Sequence, residues 1–413
     1  MNRMHKDSYV NHMTVYFRLI CVVVAMEMGT GHLFGQSSMI ISPEEEQLQV
    51  VIKIIKTLGG EYIQTPSNKF LKPFIGLGLT EVPDPTDKLF IPSFILNTAT
   101  DDLLNSLPDI PFSFALVFHG TKITDSGIKK LVDYKNLVML DFYYSDVTDR
   151  SLKEISKLKS LTALRIGHTH LTDNGLKELV NLKNLSCLDI EYTDVTDAGM
   201  KEIAKLKNLS TINLRHTKLT DLALKDLIHL MLLSSLSIAD TDTTDSCLSE
   251  IKKMKYLSSL DLSHTNVTDL GLKELTDVKS LSSLRLNNCA ITDAGLNEIV
   301  KLKSLSSLDL GNTKVTDLGL KVISNLDSLT SLYLYNNNIT DIGLNSLLKL
   351  NKLSLLHLGA TKVTNVGLKD LATIKSLSRL NLVCTKVTYE ALLELRKTRP
   401  KLEVFWLKIT FDN

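Results

Sequence analysis

Between Leu257 and Leu281 the chain reads "LSSLDLSHTNVTDLGLKELTDVKSL", and its apolar residues change period halfway. Leu257, Leu260 and Leu262 follow the pattern L-x-x-L-x-L. Alternation along an extended chain places Leu260 and Leu262 on one face of a short strand and Asp261 and Ser263 on the other, so the leucines go inward. Val267 returns to the core, and Leu272, Leu275 and Val278 recur at the spacing that lines one side of a helix. Thr268 or Asp269 is placed to cap that helix. Glu274 falls in an early turn, where the helix dipole favours an acid, and the reciprocal cap with Glu or Gln at the third helical position is absent.

The pattern returns along most of the chain. In steps of 24 residues, "VTD" at Val315 leads back through "ITD" at Ile291 and "VTD" at Val267 as far as "ATD" at Ala99, and forward to "VTN" at Val363 and "VTY" at Val387, with no residue inserted or lost. A catalytic acid is needed once, whereas an acid that returns with every unit serves the architecture of stacked repeats. Asp317, in "NTKVTDLGLKV", therefore reads as a helix cap. Gly319 reads as a close-packing position between units, and its exceptions Ser151, Ala223, Cys247 and Ala391 are all small. The ninth position, Thr265 in this unit, holds small hydrogen-bonding residues throughout, suited to satisfying backbone groups buried at the turn.

These residues resemble the leucine-rich repeat family, in a 24-residue form, LxxLxLxxTxVTDxGLKxLxxLKxL, that occurs in bacterial exported proteins and is related to the repeats of F-box substrate receptors and ribonuclease-inhibitor-like proteins. The resemblance covers about Leu89 to Phe411. It implies an α/β fold: a leucine-rich repeat solenoid, or horseshoe, with a parallel β-sheet on the concave face and short helices on the convex face. It also implies recognition of a protein or peptide partner, and it supplies no catalytic motif, cofactor or metal site.

The ends depart from the repeat. Arg18, the apolar run Leu19–Met26 and the small-residue stretch "GTGHLFGQSS" follow the layout of an export signal over residues 1–36, which places the protein in the periplasm or outside the cell; the alternative, with this segment a buried or disordered tail, is a cytoplasmic protein. The run is far short of the roughly 20 residues of a spanning helix. Within 37–70, "SPEEEQLQVVIKIIKTLGG" from Ser42 to Gly60 reads as a helix that caps the open end of the array, with Pro at its first position and Gly-Gly to stop it. The repeat domain then occupies 71–413: "FIGLGL" as a strand, "EVPDPTD" as a loop, "LFIPSFIL" as an early degenerate repeat, and about thirteen regular units. Near Pro400 the register slips by one residue, so that "LEVFWLKI" forms a closing strand with Phe405 and Leu407 inward and Trp406 outward or under the cap.

Composition narrows the partner class. Of 413 residues, 44% are hydrophobic, and 47 Lys plus Arg against 46 Asp plus Glu leave a net charge of +1. No overall field draws in nucleic acid or an anionic membrane, and the lysines of the "KLK" segments read as a solvated helix face. Array geometry favours a monomer of one elongated domain. Cys187, Cys247, Cys289 and Cys384 lie in different repeats at different positions, which predicts no disulfide, and no CxxC or Cys/His cluster suggests zinc.

Function is expected at strand positions that vary while the core repeats. The fifth position carries the triplets Asp141-Arg165-Asp189 and Asp261-Arg285-Asp309, each within reach across strands about 4.8 Å apart. They read as mutual neutralisation on an exposed face, contributing under about 1 kcal/mol per pair. The seventh and eighth positions bring Tyr143, Tyr144, His168, Glu191, Tyr192, Arg215 and His216 onto four consecutive strands, a concentration of residue types enriched where partners bind. A weaker set, Tyr333, Tyr335, Asn336 and His357, reads as ordinary sheet residues. Two alternatives bear on this reading. An enzyme would use His168, Glu191 and His216, but two histidines about 10 Å apart on an open face suit zinc or acid–base chemistry poorly. An F-box-like receptor of a ubiquitin ligase would need a three-helix module, and Ser37–Phe70 has room for about one helix.

Overall fold

The L-x-x-L-x-L segments become the rungs of a single sheet. The computed structural model describes residues 43–66 and 90–407, and the chain divides into two compact units, Met1–Gln47 and Leu48–Asn413. The strands are β1 (Glu61–Pro66), β2 (Phe90–Ile95), β3 (Phe114–Val117), β4 (Leu137–Asp141), β5 (Ala163–Arg165), β6 (Cys187–Asp189), β7 (Thr211–Asn213) and β8 (Ser235–Ser237). They continue as β9 (Ser259–Asp261), β10 (Ser283–Arg285), β11 (Ser307–Asp309), β12 (Ser331–Tyr333), β13 (Leu355–His357), β14 (Arg379–Asn381) and β15 (Glu403–Phe405). Strand order follows chain order; β1 is antiparallel to β2, and every later pairing is parallel. The unit beyond its capping segment is the expected α/β repeat solenoid, with a short helical segment between successive strands.

The pairing reproduces the sequence period. From Met139↔Ala163 to Arg379↔Glu403 the partners are 24 residues apart. Phe94 pairs with Leu116 instead, 22 residues on, although Thr100 and Thr124 keep the 24-residue step. The "LFIPSFIL" coil is thus a true coil whose turn after the strand is two residues shorter. Leu260, Leu262, Val267, Leu272, Leu275 and Val278 are all at most 1% exposed, as the pattern requires. Helices such as Asp269–Leu275 have seven residues, well below the roughly 12–15 that persist alone in water, so packing on the neighbouring coils holds them.

Two assignments within the coil change. Thr268 is the cap: its hydroxyl accepts from the Leu270 amide. Asp269 is the first helical residue, and its carboxylate points away from its own helix to accept the Thr292 amide at 2.9 Å and the Thr292 hydroxyl at 2.5 Å on the next coil. The same link runs from Asp101–Thr124 through Asp341–Thr364, and Asn365 takes the acid's place toward Thr388. Asp317 is a builder, but one that ties coils together. Glu274 moves from early to late: the helix ends at Leu275, and Glu274 pairs with Lys252 of the preceding coil at 2.5 Å. Gly319 makes room for the tie, since a Cβ there would lie 2.3 Å from Asp293 Oδ1. Where Ser151 replaces the glycine, its hydroxyl donates to Asp125. The ninth position does as expected; Thr265, for instance, donates to the Leu262 carbonyl at 2.6 Å.

At the N-terminal end, helix α1 (Pro43–Thr57) starts at the proline and stops at Gly59, whose φ of +79° is glycine territory. Its Val51, Ile52 and Ile55 are buried in the same core as Phe94 and Leu96, so α1 closes the end of the array. Strand β1 had no signal in the sequence, because "EYIQTP" is short and carries a proline. "FIGLGL", "EVPDPTD" and the Leu19–Met26 run lie outside the described residues.

The C-terminal strand corrects its expectation. Its pairing keeps the 24-residue step, Leu380↔Val404, so no slip occurs at Pro400. Val404 and Trp406 pack against the core, while Phe405 and Leu407 are 53% and 57% exposed. Parallel pairing with β14 fixes which face each residue takes, and the Trp406 indole N–H donates to the Val387 carbonyl at 3.1 Å. Cys187, Cys247 and Cys289 are free and buried, and Cys384 is free and exposed.

Candidate functional site

The seven residues singled out converge on the coils of β4–β7, but they lie beyond the strands, which end at the fifth position. The fifth-position side chain explains the turn that follows. Asp141 Oδ1 accepts the Tyr143 amide at 3.0 Å, Asp189 the Glu191 amide at 3.1 Å, and Asn213 the Arg215 amide at 3.1 Å. This local acceptor role recurs at Asp261, Asp309 and Asn381 and accounts for the acids there better than charge pairing alone.

The Asp141-Arg165-Asp189 triplet forms as expected, with Arg165 Nη1 2.9 Å from Asp141 and Nε 3.3 Å from Asp189. It is not an exposed pair: both aspartates are 1% accessible, because the Tyr143 ring lies over the guanidinium, 5.0 Å from its Cζ. Burial pushes the Asp141 carboxyl up, but Arg165, a 2.8 Å bond from His119 and the Tyr143 amide outweigh it and hold that carboxyl below its ordinary value. At Asp189 burial wins, and with Glu191 adding repulsion against the pull of Arg165 the carboxyl is pushed up to about 7. One guanidinium shared between two buried acids satisfies the nearer more fully. In the second triplet Arg285 approaches Asp261 at 3.8 Å, while Asp309 takes the Gly311 amide and is pushed up to about 6 by burial.

The seventh-position residues cover this charged floor. The Tyr143 hydroxyl donates to Glu191, whose other oxygen accepts from Asn213 at 3.0 Å. Burial, then the Glu191 charge, raises the Tyr143 phenol well above its ordinary range and keeps it a neutral donor. Arg215 sits 6.0 Å from the Tyr192 ring and 3.6 Å from Asp240, and its buried Nε has no hydrogen-bond partner among the described residues.

The eighth position forms a column. Tyr144 stacks on His168 at 3.9 Å, His168 on Tyr192 at 4.0 Å and Tyr192 on His216 at 4.2 Å between ring centroids. All four have left-handed backbone, φ 60°, 54°, 52° and 50°, and so do the residues of this position on every later coil to Cys384. Each amide donates to the next coil's seventh carbonyl, Tyr192 to Arg215 at 2.9 Å for example, and that bond imposes the conformation. Asn, Asp and His tolerate it; Tyr does not, at a cost of roughly 1–2 kcal/mol that ring stacking offsets. The column continues through His216–Asp240 at 3.4 Å, His264–Asn288 at 2.9 Å and a run of Asn288, Asn312 and Asn336. His168 and His216 are separated by the Tyr192 ring, so they cannot close on one ion.

Residues that sequence reasoning passed over are His119, Asn213 and Asp240. The signal was available: His119 stands 24 residues before Tyr143 and Asp240 24 residues after His216, and Asn213 is the fifth-position residue of the coil that carries Arg215 and His216. In the second set, His357 contacts the Tyr335 ring at 5.2 Å and Asn336 belongs to the asparagine run.

Leucine rich repeat family profiles match residues 157–180, 181–204, 253–275, 279–300 and 303–363. An internalin of Listeria monocytogenes is similar at 20% identity, over 91% of this chain and 100% of that one, with a TM-score of 0.51, a likeness of fold. A leucine-rich repeat protein of Leptospira interrogans aligns at 21% identity over 75% of this chain and 93% of that one, with a TM-score of 0.46. No curated protein matches the sequence.

Proposed function

We propose that this chain, a leucine-rich repeat protein, is an exported, monomeric, non-enzymatic scaffold that recognises a protein or peptide on the face of β4–β8. The reading is carried by the stacked column Tyr144, His168, Tyr192 and His216, flanked by Tyr143, Glu191 and Arg215. Rings locked by stacking and hydrogen bonds have little conformational freedom left to lose, so burying them under a partner costs little entropy. Tyr and Arg are also the side chains that most often dominate binding energy. Export rests on Arg18 and Leu19–Met26 in the sequence, and no helix among the described residues is long and apolar enough to cross a membrane.

The test uses a partner captured on the full chain. Tyr144→Ala with His216→Ala removes two exposed ring residues without opening a gap inside the stack, and should weaken binding by more than about 2 kcal/mol. Tyr333→Ala with Tyr335→Ala should change it little. If affinity ignored the first pair and fell with the second, the site would move to β12–β13; if it ignored both, this reading fails.

A further inference from the structure

The turn that leads from each helix into the next strand carries a second, unrelated column. Lys159, Lys183 and Lys207, then Met231, then Lys255, Lys279 and Lys303 occupy one position on successive coils, in the turns that enter paired strands about 4.8 Å apart. All six lysines are exposed, and among the described residues none pairs with a carboxylate. Four acids on the preceding helices are already engaged, since Glu154, Glu202, Glu250 and Glu298 each bind the lysine three residues on at 2.6–2.7 Å, while the exposed Asp277, two residues before Lys279, and Asp327, on the coil after Lys303, bound the basic stretch. A chain of net charge +1 thus has a locally basic edge, with spacings inside a Debye length of about 10 Å so that the charges act together.

The break in the lysines is apolar and prominent. Met231, Leu232 and Tyr256 are 67%, 56% and 66% exposed on two adjacent coils. Leu232 and Tyr256 stand where Asn184, Asn208 and Ser280 donate to the carbonyl of the preceding coil's lysine at 2.9, 2.7 and 2.9 Å. A leucine cannot make that tie, so a stabilising bond has been given up for an exposed apolar side chain.

We infer that this edge docks on an anionic phospholipid surface, with Met231, Leu232 and Tyr256 entering the headgroup boundary and the lysines lying over lipid phosphates. The apolar groups protrude; a protein partner would need a preformed pocket with an acidic rim to receive them. A bilayer presents a deformable apolar layer beneath a negative one, and shallow insertion flanked by lysines is how interfacial segments bind it. This edge is distinct from the ring column, and the inference does not rest on the proposed function.

The test is co-sedimentation of the full chain with phosphatidylcholine vesicles, with and without about 30% phosphatidylglycerol. Binding should require the anionic lipid and weaken as salt rises. Each lysine over such a surface contributes about fivefold, so Lys207→Glu with Lys255→Glu should lower binding tenfold or more. Met231→Ser with Leu232→Asn and Tyr256→Ser should lower it as well, while Lys201→Glu with Lys225→Glu, on the helices, should not; all variants should melt as the parent does. Because Leu19–Met26 is itself apolar in sequence, the variants decide the matter. No binding, equal binding to both vesicles, a control pair that loses as much, or an apolar triple that loses nothing would each overturn the inference. Capture of an acidic protein that is lost in the Lys207/Lys255 pair, with no vesicle binding, would assign the edge to a protein instead.

Discussion

The carboxylate of Asp317 accepts both the backbone amide and the hydroxyl of Thr340, at 2.8 and 2.6 Å, across the gap between two coils. Thr340 in turn caps its own helix by accepting from the Ile342 amide at 3.2 Å. The Thr-Asp pair thus does two jobs in each coil: the threonine starts the helix and the aspartate holds the next threonine in place.

Asp317→Ala should cost about 2 kcal/mol, because bonds to a charged acceptor are worth more than neutral ones and the Thr340 amide is left without a partner. Leu318→Ala, at the adjacent exposed position, should stay within about 0.5 kcal/mol. Urea unfolding followed by circular dichroism compares the two. Equal effects would mean that the link carries no stability.

Ala360 holds a φ of 55° with no ring to stack on. Ala360→Gly relieves roughly 1–2 kcal/mol of left-handed strain and loses about 0.4–1 kcal/mol through a more flexible unfolded chain. A net gain of about 0.5–1 kcal/mol should appear as a higher urea midpoint. A loss would show that the neighbouring coils relax the strain already.

Burial pushes the His357 imidazole down to about 4, and its Nδ1 accepts from the Gly359 amide at 3.2 Å. The folded state therefore binds the proton less readily than the unfolded chain, whose histidine titrates near 6.5. The stability from neutral His357 is complete above about pH 6.5 and is lost as pH falls toward 4. Between pH 7 and 4.5 the parent should lose about 1–3 kcal/mol more than His357→Gln, measured by urea midpoints at both values. Parallel losses would place the proton elsewhere.

If the N-terminal segment is an export signal, the mature protein should begin between about Gly31 and Ser38, as mass measurement of the secreted form will read directly. An intact Met1 on the folded protein would count against export.

Periodicity alone determined the coil: its 24-residue length, the inward faces of Leu260 and Leu262, the buried side of the helix, and the nearness of Tyr143, Tyr144, His168, Glu191, Tyr192, Arg215 and His216. It could do so because every coil repeats one environment, so each position's partners within the coil recur at fixed offsets. What passes between coils was decided only in three dimensions. The direction of Asp317 depends on its lying one residue inside the helix, and the left-handed backbone at Tyr192 depends on a carbonyl offered by Arg215 from the next coil. The burial of Asp141 and Asp189 depends on a tyrosine ring lying over Arg165, and the inward turn of Trp406 on parallel pairing with β14. Lateral contacts of this kind are set by backbone dihedrals and by what the adjacent coil presents, and a linear pattern carries neither.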